Sequence, residues 1–357
     1  MKIGIITFHW ALNYGAVLQA YALQTYLESM GHKVEVIDYR PKWANDNKHR
    51  RIPRHIVESV ETVDFYCRKH NFRKFCSNYL HLSDRRYCYG DIISDYDAVI
   101  TGSDQVFNPD IIAPDGQLDE MYLLGYVAKG VKKLSYAASF GNSTLLPVYN
   151  ERYKELLSEV DALSVREQSG ANILKGLGIH AETVPDPTIL LGDFSDIING
   201  GSVKSDDYIL SFIFQPSEKV SQIQNQLQKT IGKPLYSIQS MLNMIKGKKG
   251  FYNPTPSEWI EKIQASSFVI TDSFHSSVFS ILLHRPFISL SLDAWGGDWS
   301  ERIKALLNTT GLSERMPNAP SESAMRFLCF NPIQWAKVES RLSELRLKGH
   351  QFLASNL

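Results

Sequence analysis

Aliphatic residues recur along this chain in two patterns. Short unbroken runs predict buried strands, and stretches where apolar residues return at helical spacing predict helices. Residues 2–7 read as a strand and 8–15 as a loop. A helix over about 16–30 carries Val17, Leu18, Tyr21, Leu23 and Leu27, and Gly31 ends it before a strand at 34–37. After a basic helical insert, 97–100 reads as a strand running into a turn at 101–104. Further strands fall at 133–137, 162–165 and 183–186, with helices over about 148–159 and 166–177 between them. Single helices between strands imply parallel sheets with right-handed crossovers.

Residues 192–207 are rich in glycine, serine and aspartate, including Asn199-Gly200-Gly201-Ser202, and form the best linker candidate. A second α/β series follows, with strands at 208–214, 234–238, 268–271 and 287–290. Helices are expected at 220–231, 257–265 and 275–283, and a last one near 332–348 carries Val338, Leu342 and Leu345 on one face. The expectation is therefore an α/β protein of two Rossmann-like domains, with parallel sheets facing a cleft. Residues 1–200 form the N-terminal domain, with an insert at about 42–90. Residues 201–357 form the C-terminal domain, its last helix able to pack back on the first.

Composition narrows the function. The 357 residues hold 38 basic and 38 acidic side chains, a balance unlike that of proteins that grip nucleic acid. The opening run is too short for a secretory leader, and no stretch approaches the roughly 18–20 apolar residues needed to cross a bilayer. The chain reads as cytoplasmic. Cys67, Cys76, Cys88 and Cys329 form neither a CxxC pair nor a disulfide framework, so neither a metal site nor a cofactor is expected. The insert at 42–74 carries nine basic residues against Asp46, Glu58, Glu61 and Asp64. It is a solvated helical face, or else a face attracted to an anionic membrane surface or a lipid-linked pyrophosphate.

Candidate chemistry sits where strands end, because parallel sheets bind ligands beyond their carboxyl edge. Thr271-Asp272-Ser273-Phe274-His275-Ser276 puts hydroxyls, a carboxylate and an imidazole at a helix start. Asp272 or Ser273 can cap the helix. His275 is a general acid or base, or a buried hydrogen-bonded histidine. Ser164-Val165-Arg166-Glu167 places an arginine against the positive end of a helix. That arrangement is explained by a bound carboxylate or phosphate, or by an ion pair with Glu167 or a neighbouring acid. Asn13 and Gly15 suit a βα turn approached by a ligand, without a dinucleotide GxGxxG pattern. Gly102, Ser103 and Asp104, and likewise Ser139, suit a sugar or phosphate, or a simple cap.

Together these motifs resemble the polysaccharide pyruvyl transferase family. The matching pieces are Gly4-Ile5-Ile6-Thr7-Phe8-His9, Asn13 through Tyr21, Thr101 through Gln105, Ser135 through Gly141, Ser164 through Glu167, Pro185 through Thr188 and Thr271 through His275. The resemblance implies a fold similar to GT-B glycosyltransferases. It also implies phosphoenolpyruvate as donor and a pyruvate ketal bridging two hydroxyls of a sugar in a surface polysaccharide or its precursor. The general-acid histidine of the family falls on His275 and its SxRE arginine on Arg166. Many members carry arginine two residues before the histidine; here Ser273 stands there, so either another cation, Arg302 or Arg285, replaces it or donor binding differs. Asn13, Gly15, Gly102, Ser103, Asp104, Ser139, Asp272, Ser273, Ser276 and Arg302 are the expected substrate contacts. The acceptor is expected to be lipid-linked, with peripheral contact at the inner membrane surface. A nucleotide-sugar glycosyltransferase and a non-catalytic carbohydrate-binding relative are the alternatives.

Overall fold

Buried aliphatic runs alternate with capped helices from the first residues onward, and the computed structural model assembles them as parallel strands with helical crossovers. It describes residues 1–44, 56–198, 207–245, 247, 249–291, 300–317 and 321–357. The glycine-rich part of the expected linker, 199–202, and Lys48, Arg50, Arg51 and Arg54 of the insert lie outside the described residues.

The first series comprises β1 (Lys2–Ile6), α1 (Tyr14–Ser29), β2 (Lys33–Tyr39), α2 (Ile56–Tyr79), β3 (Leu82–Tyr87), β4 (Ala98–Asp104) and α3 (Pro109–Ile112). It continues with β5 (Lys132–Ala138), α4 (Asn150–Leu157), β6 (Ala162–Val165), α5 (Gln168–Gly176), β7 (Glu182–Thr183) and α6 (Pro187–Leu191). The second series opens with β8 (Ile209–Phe212), α7 (Glu218–Ile231), β9 (Leu235–Gln239), α8 (Met241–Ile245), β10 (Gly250–Tyr252) and α9 (Pro256–Gln264). It closes with β11 (Phe268–Thr271), α10 (Phe274–Leu282), β12 (Phe287–Ser289), α11 (Glu301–Thr310), α12 (Glu322–Phe330) and α13 (Trp335–Asn356).

The chain divides into two units. Unit 1 holds residues 1–44, 76–192 and 343–357 and a seven-stranded sheet ordered β3-β2-β1-β4-β5-β6-β7. Unit 2 holds 56–75 and the described residues of 193–342, with a five-stranded sheet ordered β10-β9-β8-β11-β12. Every strand pairing is parallel. The central strands are buried along nearly their whole length, as parallel strands covered on both faces must be. Helix α1 is likewise buried on most of its surface, against the sheet and α6, whereas α7 buries only Ile223 and Leu227.

Three expectations change. Residues 101–104 are the end of β4, whose buried run continues to Ser103, and not a turn beyond it. The polar edge strand β3, Leu-Ser-Asp-Arg-Arg-Tyr, carried no aliphatic run and was not anticipated. Residues 56–75 of the insert group with unit 2, where Asp64 Oδ1 accepts from Met241 N (2.6 Å) and from Asn253 Nδ2 (2.7 Å). Asn71 Nδ2 donates to the Asn253 carbonyl oxygen at 2.7 Å and adds to the same seam. Among the described residues, no helix is long and apolar enough to cross a membrane.

Candidate active site

In the sheet of unit 2 the chain order reverses between β8 and β11, the place where an open parallel sheet leaves a crevice at its carboxyl edge. The two strand ends are stitched together there. Thr271 Oγ1 donates to the Phe212 carbonyl oxygen (2.7 Å) and accepts from Ser273 N (3.0 Å). Asp272 accepts from Phe214 N (2.8 Å) and Gln215 N (2.9 Å), one on each oxygen. Burial raises the Asp272 pKa, and these two N–H groups oppose the rise. Asp272 is therefore a strap between strand ends, and the cap of α10 is Ser273, whose Oγ accepts from Ser276 N.

His275 follows as the second residue of α10, 7% exposed, with its ring edge-on to Phe274 at 5.1 Å between centroids. Ser276 is fully buried, and its Oγ has no hydrogen-bond partner among the described residues. Ser277 Oγ pairs with Ser289 Oγ at 2.8 Å, tying α10 to β12. A cavity of about 290 Å³ opens at this edge. Gln215 and Ser217 from the β8–α7 turn and Lys219 from the first turn of α7 line it, with Asp272, Leu290 and Ser291. Lys219 drew no attention in the sequence, though Gln215-Pro216-Ser217 after a strand is the same kind of turn signal as those that did.

The expected replacement cations fare differently. Arg285 follows the far end of α10 and its Nη1 donates to the Ser266 carbonyl oxygen (3.3 Å), just before β11 begins. It thus stands at the amino edge of the sheet and does not replace a cation at position 273. Arg302 lies half-buried in the first turn of α11.

In unit 1 the order reverses between β1 and β4. Asn13 caps α1, its Oδ1 accepting from Gly15 N (2.9 Å) and Ala16 N (3.4 Å), and Thr7 Oγ1 donates to the Ser103 carbonyl oxygen (3.1 Å). Gly102 has φ 111°, and a Cβ there would meet the Tyr136 carbonyl oxygen at 2.3 Å, so only glycine fits the close approach of β5. Asp104 (φ 70°) and Ala137 (φ 49°) are non-glycine residues in the left-handed region at the ends of neighbouring strands, a strain typical of sites. Ser139 Oγ accepts from Gly141 N at 3.0 Å and holds a local turn.

Arg166 takes the second of its two expected forms, an ion pair with neighbouring acids. It precedes α5, and its side chain is 3% exposed, with Nε donating to Glu167 Oε1 (2.7 Å) and Nη1 to Asp186 Oδ2 (2.9 Å). Two protein carboxylates compensate this guanidinium. Burial alone would lower its pKa, but Glu167, Asp186 and Asp104 outweigh that and raise it. Asp186 also accepts from Ser103 Oγ (3.1 Å) and, on its other oxygen, from Thr188 N and Oγ1. Ser103 and Arg166 are thus brought together through Asp186, which the sequence marked as part of the Pro185–Thr188 piece but not as a site residue.

Beside them, His9 is 1% exposed, with Nε2 3.2 Å from Asp38 Oδ1 and Nδ1 3.3 Å from the Thr7 carbonyl oxygen. A cavity of unit 1, about 460 Å³, is lined by Asp161, Ala162, His180 and Glu182 at the amino edge of β6 and β7, away from the edge where parallel sheets bind ligands. Among the described residues, no cluster of His, Cys, Asp or Glu could hold a metal ion.

The model of a family described as polysaccharide pyruvyl transferase matches residues 13–293 of the chain. No curated protein matches it. Among solved structures, UDP-GlcNAc 2-epimerase from Neisseria meningitidis bound to UDP-GlcNAc is similar at 10% identity, covering 100% of both chains with a TM-score of 0.51. A second UDP-N-acetylglucosamine 2-epimerase shares 10% identity over 99% of this chain and 94% of its own, with a TM-score of 0.53. At such identity the likeness is one of fold: two parallel α/β sheets of the GT-B type.

Proposed function

Because this chain belongs to the polysaccharide pyruvyl transferase family, we propose that it moves the enolpyruvyl group of phosphoenolpyruvate onto two hydroxyls of one sugar in a surface polysaccharide or its precursor. The product is a pyruvate ketal, and phosphate is released. The observation that carries this reading is the turn from Thr271 to His275. It sets an imidazole in the first turn of a helix, at the carboxyl edge of a parallel sheet and next to the strand-order reversal.

His275 is the proton donor of the reaction, a role an imidazole fills near neutral pH. A proton added to the methylene carbon of the donor leaves the adjacent carbon short of electrons. One sugar hydroxyl attacks that carbon, forms a C–O bond and loses its proton. The bond to phosphate then breaks with its electron pair, and the second hydroxyl closes the ketal as its proton leaves. Arg166 acts as a positioning residue, holding Asp186 and through it Ser103. The donor is a substrate, and no separate cofactor is proposed. The acceptor is a lipid-linked sugar at the cytoplasmic face of the inner membrane, to which basic residues of α2, among them the exposed Arg73 and Lys74, are drawn.

Incubating the protein with phosphoenolpyruvate and lipid-linked glycans, then following phosphate release and the ketal methyl signal by NMR, tests the reading. His275→Ala is expected to lose ~100-fold or more in turnover while the protein stays folded. Full turnover in that variant removes His275 from the chemistry. Product formed from a nucleotide sugar and none from phosphoenolpyruvate moves the enzyme to the glycosyltransferase class.

A further inference from the structure

Aromatic side chains gather at the carboxyl edge of unit 1. Trp10 follows β1, Trp43 follows β2 and Tyr89 follows β3, three neighbouring parallel strands that end at the same edge. Trp10 and Trp43 are half-buried and meet edge to face, 5.6 Å between centroids. Tyr89 is 40% exposed and meets the half-buried Tyr126 in the same manner at 5.2 Å. Buried groups hold these rings. Trp10 Nε1 donates to Tyr122 Oη (3.1 Å) and Trp43 Nε1 to Asp119 Oδ2 (3.0 Å), an oxygen that also accepts from Tyr39 Oη (2.7 Å). Tyr39, Asp119 and Tyr122 are all buried. Burial raises the Tyr89 pKa, and the Tyr126 hydrogen bond and the Asp119 charge add to the rise, so Tyr89 lies within electrostatic reach of the same carboxylate. Both indole N–H groups are thus satisfied inside the protein while part of each ring stays open to solvent. Rings fixed in advance spare a ligand the entropy of ordering them.

We propose that this aromatic band is a subsite for the acceptor glycan, whose sugar rings stack on Trp10, Trp43 and Tyr89. The inference rests on the sugar-acceptor reading above. A pyranose has an apolar C–H face and a rim of hydroxyls. Fixed aromatic rings match the face, and the Tyr89 and Tyr126 hydroxyls offer hydrogen bonds to the rim. Two strand spacings separate β1 from β3, so the band crosses roughly 10 Å of sheet edge, wider than one sugar ring. It therefore suits a chain of sugars better than a single one.

The test follows tryptophan fluorescence and saturation-transfer NMR on the full-length protein. The probes are hexasaccharides of glucose, galactose, mannose and N-acetylglucosamine, each beside its monosaccharide, with uridine as a separate arm. At least one hexasaccharide should bind wild type, more tightly than its monosaccharide. Tyr89→Ala and Trp43→Ala should each weaken that binding ~10- to 100-fold, the loss of one stacked ring. Trp43→Phe keeps a ring and should recover most of the affinity. Phe327→Ala removes an exposed ring from α12 of unit 2 and should bind like wild type. If Trp43→Ala does not fold, Trp43→Phe and the more exposed Tyr89 carry the test. In the ketal assay, KM for the acceptor should rise in the Tyr89→Ala and Trp43→Ala variants, with KM for phosphoenolpyruvate unchanged. Sugar binding unchanged in Tyr89→Ala overturns the subsite, and phosphate still released from phosphoenolpyruvate then leaves the donor reading standing. Sugar bound through Tyr89 and Trp43, with no turnover of phosphoenolpyruvate, keeps the subsite and removes the donor reading. A wild type that binds none of the hexasaccharides, or that binds only uridine through these rings, overturns the assignment.

Discussion

Replacing Arg166 by Met removes the guanidinium that Glu167 and Asp186 share in the interior of unit 1, and strands two buried carboxylates. Breaking such a group from one side costs about 3–5 kcal/mol, so chemical denaturation should show a loss of that order. Arg166→Lys should recover only part, because an ammonium cannot fork between two carboxylates. Asp38 makes a pH-dependent contribution. The His9 hydrogen bond, opposed by burial and helped by Arg40, holds its pKa at about 2 against an ordinary 3.8. The folded value lies below the unfolded one, so the stabilisation is complete above about pH 4 and is lost as pH falls from 3.8 towards 2. Unfolding of Asp38→Asn followed across that window should show a flatter acid limb than wild type. Burial also pushes the Cys76 thiol up to about 12, whereas Cys67 and Cys88 are exposed. Maleimide at pH 8 should therefore label Cys67 and Cys88 at once and Cys76 only on unfolding. A sequence shows that an arginine sits at a helix start, but not which acid lies beside it when that acid is twenty positions away.

Elements followed from local rules wherever caps and aliphatic runs coincide. Asn13 before α1, Ser217 before α7 and the Thr255–Glu258 capping box of α9 are each a polar residue standing just ahead of a helix. Strand β4 was read too short because Thr-Gly-Ser-Asp looks like a turn. Its glycine is instead required by the approach of β5, with Tyr136 O where a Cβ would be. Gly102→Ala should cost about 1–3 kcal/mol from backbone strain alone, with the overlap adding to it. Gly130→Ala is the control, since that glycine shares a positive φ but meets nothing within 4 Å. Equal melting temperatures for the two variants would mean that close packing between β4 and β5 does not matter.

At the scale of the molecule, chain order and unit membership part company. Residues 343–357, the end of α13, belong to unit 1, where Phe352 and Leu353 are buried and Arg346 Nε donates to the Ile189 carbonyl oxygen at 3.0 Å. Burying each such side chain is worth about 1.5–3 kcal/mol, so deleting 343–357 should lower the melting temperature and the soluble yield markedly. A truncated protein that melts like wild type would show that unit 1 is complete without its C-terminal piece.

The sequence by itself determined the α/β class, the parallel strands and the strand-to-helix turn that ends in His275. These depend on short-range patterning, the spacing of aliphatic residues and polar caps, which a linear reading captures. Only the tertiary structure decided that Arg166 is neutralised by Asp186, that Arg285 stands at the wrong edge and that residues 56–75 group with unit 2. It also decided that Lys219 and Asp272 line one cavity. Each of these joins residues far apart in the chain, and such pairings follow from strand order and packing, which no local pattern encodes.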